Sequence, residues 1–103
     1  MGIAFHIAEQ VEDIVNELDV MYVTRIQKER FADIEEYERV KDAFIFTKED
    51  LLETNDKFRL MHPLPRVSEI SPDIDDSEKS IYFKQTYYGI PMRMAILAEL
   101  LLD

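Results

Sequence analysis

A chain of 103 residues is long enough for one small domain with a single core, and the lack of cysteine removes both a disulfide framework and a thiolate metal site. Lys and Arg number 12 against 22 Asp and Glu, giving a formal net charge of -10 that repels nucleic acid and anionic lipid, so neither is expected as a partner. Residues 1–5 lack the basic start and apolar run of a signal peptide, no apolar run is long enough to span a bilayer, and the absence of cysteine fits a cytoplasmic protein.

Gly2-Ile-Ala-Phe5 is short and apolar and reads as a strand. Ile7, Val11, Ile14, Val15 and Leu18 follow at the spacing of one helical face, opposite Glu9, Glu12, Asp13 and Glu17, which predicts an amphipathic helix. Val20-Met-Tyr-Val23 is an unbroken apolar run suited to a strand buried on both faces of a parallel sheet, completing one βαβ unit. The charged stretch Arg25 to Arg39 holds a loop and a short helix near residues 34–40, and Ala43-Phe-Ile-Phe46 supplies another strand-like run. Thr47-x-x-Asp50 resembles a capping box with Asp in place of Glu and opens a helix through Glu53. Phe58 to Met61 is the last strand. From His62 to Lys79, three prolines and several acids predict loop, with a turn around Ser71-Pro72.

The segment from Ile81 has a helical pattern that is apolar almost all round, through Ile90, Met92, Met94, Ile96, Leu97, Leu100 and Leu101. Pro91 either kinks this helix or sits in its first turn. The fold expected is α/β: a three-layer, Rossmann-like domain with a short, mostly parallel sheet flanked by helices, plus a long apolar C-terminal helix. A chain this short can hardly cover both sides of such a helix, so self-association or a second domain is expected to complete it.

Ligands of parallel α/β sheets bind beyond the carboxyl ends of the strands, which selects Thr24-Arg25-Ile26-Gln27 and His62-Pro63-Leu64-Pro65-Arg66. Arg25 offers a planar fork of donors for a carboxylate, and Gln27 adds an amide donor two residues on. The competing reading pairs Arg25 with Glu29 as a local ion pair, and the two weigh about equally on the residues alone. Pro63 and Pro65 lack backbone N–H groups, so the second loop presents carbonyls along a stiff path; a structural exit from the sheet is the commoner meaning of such prolines. His62 has the chemistry of an acid or base, yet a lone histidine at a strand end is more often a structural hydrogen-bonding residue. His6 and His62 have no ligand-like spacing, so no metal is expected, and two glycines make no phosphate loop. Tyr82, Phe83, Tyr87 and Tyr88 read first as packing residues.

Asp19-Val-Met-Tyr-Val-Thr-Arg-Ile-Gln-Lys-Glu-Arg-Phe31 and Leu60-Met-His-Pro-Leu-Pro-Arg-Val67 together resemble the catalytic chain of the aspartate carbamoyltransferase family, in order and in spacing. Tyr82-Phe-x-Gln85 and Gly89 to Leu97 match that family's C-terminal helix, so the resemblance covers nearly the whole chain. It implies transfer of a carbamoyl group from carbamoyl phosphate to L-aspartate in pyrimidine biosynthesis, with no cofactor. It also implies that Arg25 and Gln27 hold the aspartate side-chain carboxylate, that carbonyls around Leu64 and Pro65 face the carbamoyl NH2 group, and that Glu29 orients Arg25, with His62 and Arg66 in support. Ser68 departs from the Asp that many relatives carry, and Tyr88 from their Asn. The family's phosphate-binding segment, its carbonyl-polarising histidine and its lysine from a neighbouring subunit all lie upstream of anything present here. The expectation is therefore a C-terminal part of the aspartate-binding domain, inactive alone. The alternatives are one chain of a split transferase, or an interaction module that keeps the fold.

Overall fold

The structure is a computed structural model and describes residues 2–25, 32–40 and 44–102. Two strands, β1 (Val20–Tyr22) and β2 (Arg59–Met61), pair in parallel with Val20 opposite Arg59, Met21 opposite Leu60 and Tyr22 opposite Met61. The ladder continues past both ends, since the Arg59 N–H donates to the Asp19 carbonyl at 2.8 Å and the Val23 N–H to the Met61 carbonyl at 3.0 Å. On its other side β2 meets a one-residue bridge between Leu60 and Ser80, and Phe46 makes a second parallel bridge with Ile70. Leu60 thus has chain on both sides and a fully buried side chain, whereas β1 is not the strand buried on both faces that its apolar run predicts: Val20 and Tyr22 are exposed, because among the described residues β1 pairs with β2 alone.

Among the described residues three α-helices accompany the sheet: α1 (Ile34–Val40), α2 (Lys48–Leu52) and α3 (Gly89–Leu101). The capping box ahead of α2 forms with the shorter acid: Thr47 Oγ1 accepts from the Asp50 N–H at 3.4 Å, and Asp50 Oδ2 accepts from the Thr47 N–H at 2.9 Å. Such a cap contributes about 1 kcal/mol, enough to matter for a helix of 5 residues. It aims Leu51 into a core of Val15, Val23, Phe46, Phe58, Leu60, Ile70, Ile74 and Tyr82. The Phe46 and Phe58 rings stack there with centroids 6.0 Å apart.

The N-terminal segment departs from the expected strand and helix. Among the described residues, positions 2–10 carry no regular structure, and the predicted helix is two 3-10 turns, Val11–Asp13 and Val15–Glu17. The physical reason is the lack of a surface to pack on: Ile3, Phe5 and Ile7 are exposed and only Val15 is buried, so propensity has little tertiary support. Ala43 lies outside the described residues, and the strand expected there reduces to the bridge at Phe46. The helix expected from Ile81 begins later, after a 3-10 segment at Lys84–Tyr88. Pro91 lies in the first turn of α3, where its missing N–H breaks no helical hydrogen bond, so it neither kinks nor ends the helix. Every residue of α3 from Ile90 to Leu101 is exposed.

Candidate functional site

Because β1 and β2 run in parallel, the chain leaves both at the same edge. There Thr24 and Arg25 meet His62, Pro63, Leu64 and Pro65 around a cavity of about 280 Å³. The two loops selected from sequence, whose nearest described residues Arg25 and His62 are 37 positions apart, are brought to one concave site, with Arg25 half-buried in its wall. Gln27 and Glu29 lie outside the described residues. A neighbouring cavity of about 400 Å³ shares Pro63 and is lined also by Tyr22, Gln85, Thr86, Gly89 and Arg93.

The second loop is held in an unusual path. Leu64 has φ of 57°, a left-handed conformation that costs a non-glycine residue about 1–2 kcal/mol, and the Leu64–Pro65 bond is cis. What holds it is the fully buried His62. Its Nδ1 accepts from the Leu64 N–H at 2.7 Å, which leaves the proton on Nε2, donated to Glu69 Oε1 at 2.5 Å. The Glu69 carboxylate, also buried, accepts the Val67 N–H at 3.1 and 3.2 Å. Gln85 grips the same histidine from the other side, accepting from its N–H at 3.2 Å and donating to its carbonyl at 2.5 Å. With both ring nitrogens engaged inside the protein, His62 is a support for the loop and has no nitrogen left for proton transfer to a ligand.

Arg66 does not line the cavity. Its guanidinium forks onto Asp75, with Nη2 donating to Oδ2 at 2.7 Å and Nη1 to Oδ1, and lies 5.6 Å from the Tyr82 ring centroid and 5.5 Å from that of Phe83. The Tyr82 hydroxyl donates to Asp75 in turn. The hydrogen bonds to Asp75 raise the Arg66 pKa, and the same contact lowers that of Asp75. Burial, then the hydrogen bond to Asp75, pushes the Tyr82 phenol up from 10.0 to about 12. Raised in the folded state, this group contributes stability that is complete below pH ~10 and lost as pH rises through ~12, because the unfolded chain gives up the proton first. Denaturant titrations between pH 9 and 12 are expected to show wild-type stability falling by on the order of 1–2 kcal/mol more than that of Tyr82→Phe; parallel curves would rule this out.

Sequence reading missed Glu69, Asp75 and the supporting role of Gln85. Glu69 sits in a run of charged and polar loop residues where nothing marks one acid as buried, and only the strand-end position of His62 hinted that a partner was needed. Among the described residues no three His, Asp or Glu side chains gather as a metal site, and no helix is long and apolar enough to cross a membrane.

Comparison with known proteins gives a consistent result. The family model described as "Aspartate/ornithine carbamoyltransferase, Asp/Orn binding domain" matches residues 1–100. The aspartate carbamoyltransferase catalytic subunit of Methanocaldococcus jannaschii is 52% identical over 102 residues, 99% of this chain and 33% of that protein. That of Methanothrix thermoacetophila is 46% identical over 103 residues, 100% of this chain and 34% of that protein. The chain therefore spans about a third of the length of the curated relatives it matches. Among solved structures, the catalytic subunit of M. jannaschii aspartate transcarbamoylase aligns with a TM-score of 0.73 at 53% identity, covering 89% of this chain and 30% of that one. Aspartate transcarbamoylase from Trypanosoma cruzi, in complex with carbamoyl aspartate and phosphate, aligns with a TM-score of 0.74 at 37% identity, covering 84% of this chain and 28% of that one.

Proposed function

From the premise that this chain belongs to the aspartate/ornithine carbamoyltransferase family, we propose that it supplies part of the L-aspartate and carbamoyl-group site of an aspartate carbamoyltransferase. In that reaction the amino nitrogen of L-aspartate attacks the carbonyl carbon of carbamoyl phosphate. A C–N bond forms, the C–O bond to phosphate breaks, and a proton leaves the nitrogen, giving N-carbamoyl-L-aspartate and phosphate without a cofactor. The observation that carries the reading is the cavity in which Arg25 and the His62–Pro65 loop come together. Arg25, with Gln27 beside it in sequence and Glu29 to orient it, holds the aspartate side-chain carboxylate. The carbonyls of Leu64 and Pro65 accept from the carbamoyl NH2 group.

Residues 1–103 form the C-terminal part of a Rossmann-like aspartate-binding domain, and the carbamoyl phosphate domain is a separate requirement for catalysis, since positioning of two anions needs donors converging from both sides. The surface supports the need for company. The chain exposes 8543 Å², whereas a compact monomer of this mass exposes about 6,100 Å². The excess includes the apolar side chains of α3, which provide the contact for self-association or for a carbamoyl phosphate domain.

Carbamoyl aspartate formation, measured with saturating substrates for this chain alone and with an added carbamoyl phosphate domain, tests the reading. Product in the mixture and none from the chain alone is expected. Silence in the mixture from a demonstrably folded chain would remove the assignment.

A further inference from the structure

We infer that Glu69 is a positioning residue for the transfer reaction, acting through His62 on the carbonyls of Leu64 and Pro65; this rests on the reading given above. Glu69 is 4% exposed and His62 is 0% exposed, so their contact is shielded from competing water. By taking the Nε2 proton of His62, the carboxylate selects the tautomer whose Nδ1 is a bare acceptor, and only that tautomer receives the Leu64 N–H at 2.7 Å. The same carboxylate holds the Val67 N–H at the far end of the loop. One side chain therefore fixes both flanks of Pro63 to Arg66, a segment in which the two prolines have no N–H with which to fix themselves.

Leu64 adopts its left-handed φ between these ties, and that torsion sets the direction of its carbonyl. A loop held elsewhere would keep the chain folded and lose the aim. The hydrogen bonds of Gln85 reach only the backbone of His62, so they locate the strand end without choosing the ring tautomer.

The test has a structural arm and a kinetic arm. Nitrogen NMR of the wild-type imidazole should show His62 as the Nε2–H tautomer; the Nδ1–H form would overturn the inference with no variant needed. In Glu69→Ala, amide exchange at Leu64 and Val67 is expected to accelerate about tenfold or more, while Val23 and Arg59, held by the sheet, stay within about twofold. Equal acceleration at all four would mean a merely structural role. In the mixture with a carbamoyl phosphate domain, Glu69→Ala should lower kcat about tenfold with KM for L-aspartate within about twofold, and Glu69→Gln, which keeps an oxygen for His62, should recover to within about threefold of wild type. An unchanged kcat alongside faster Leu64 exchange overturns the proposal. A silent wild-type mixture counts against the proposed reaction alone, because tautomer and exchange still decide whether Glu69 holds the loop.

Discussion

Replacing Phe58 by alanine is expected to cost about 3–5 kcal/mol in stability, a large share of the roughly 5–15 kcal/mol margin of a domain this size. Phe58 is fully buried, stacks on Phe46 with an interplanar angle of 8°, and leads directly into β2. Its loss removes the transfer energy of an aromatic ring and leaves a cavity under the strand that pairs with both β1 and Ser80. The surroundings relax poorly because Leu60, two residues on, is locked by backbone hydrogen bonds to Lys79 and Ile81, while its neighbours Arg59 and Met61 are held by the β1 side. Urea denaturation at 25 °C is the measurement. Leu52→Ala, at a side chain 79% exposed, serves as the reference and should fall within about 0.5 kcal/mol of wild type. A Phe58→Ala cost under about 1.5 kcal/mol would show that the core is placed wrongly.

Arg25→Ala is expected to raise KM for L-aspartate on the order of 100-fold in the mixture with a carbamoyl phosphate domain, while the urea midpoint of the chain barely moves. On the proposed role the size follows from losing a charge-assisted fork on the substrate carboxylate, and the neutrality in stability from a side chain that lines a cavity and takes no part in the core. Arg25→Lys keeps the charge and loses the planar fork, so it should recover only part of the affinity. A change in KM below about threefold for Arg25→Ala would show that the arginine faces the cavity for some other purpose.

The legibility of this chain divides along physical lines. Val20–Val23, Thr47–Asp50 and the strand ending at Met61 were readable because local chemistry decides them: an apolar run bounded by polar residues, a reciprocal cap, a stop at proline. The convergence of Arg25 with the His62–Pro65 loop was readable because parallel strands must release their chains at one edge. The helix expected from Ile7 to Leu18 was misread because periodicity predicts a face and not the surface it needs, and here that face has little to rest on. Glu69 was invisible for a different reason. Its burial depends on the bridge between Phe46 and Ile70, a pairing of residues 24 positions apart that no local pattern encodes. The Arg66 fork to Asp75 was likewise hidden within a loop that looked merely solvated.

The parallel register of the two strands also sets a tempo. Val20 meets Arg59, 39 positions on, so the chain must close a long loop before the first ladder bond returns any free energy. The helical turns and the Thr47 cap need no such closure and form on a faster clock. The His62–Pro65 loop and the arginine opposite it are therefore assembled together, in the step that commits the sheet, and the site cannot exist before the fold does.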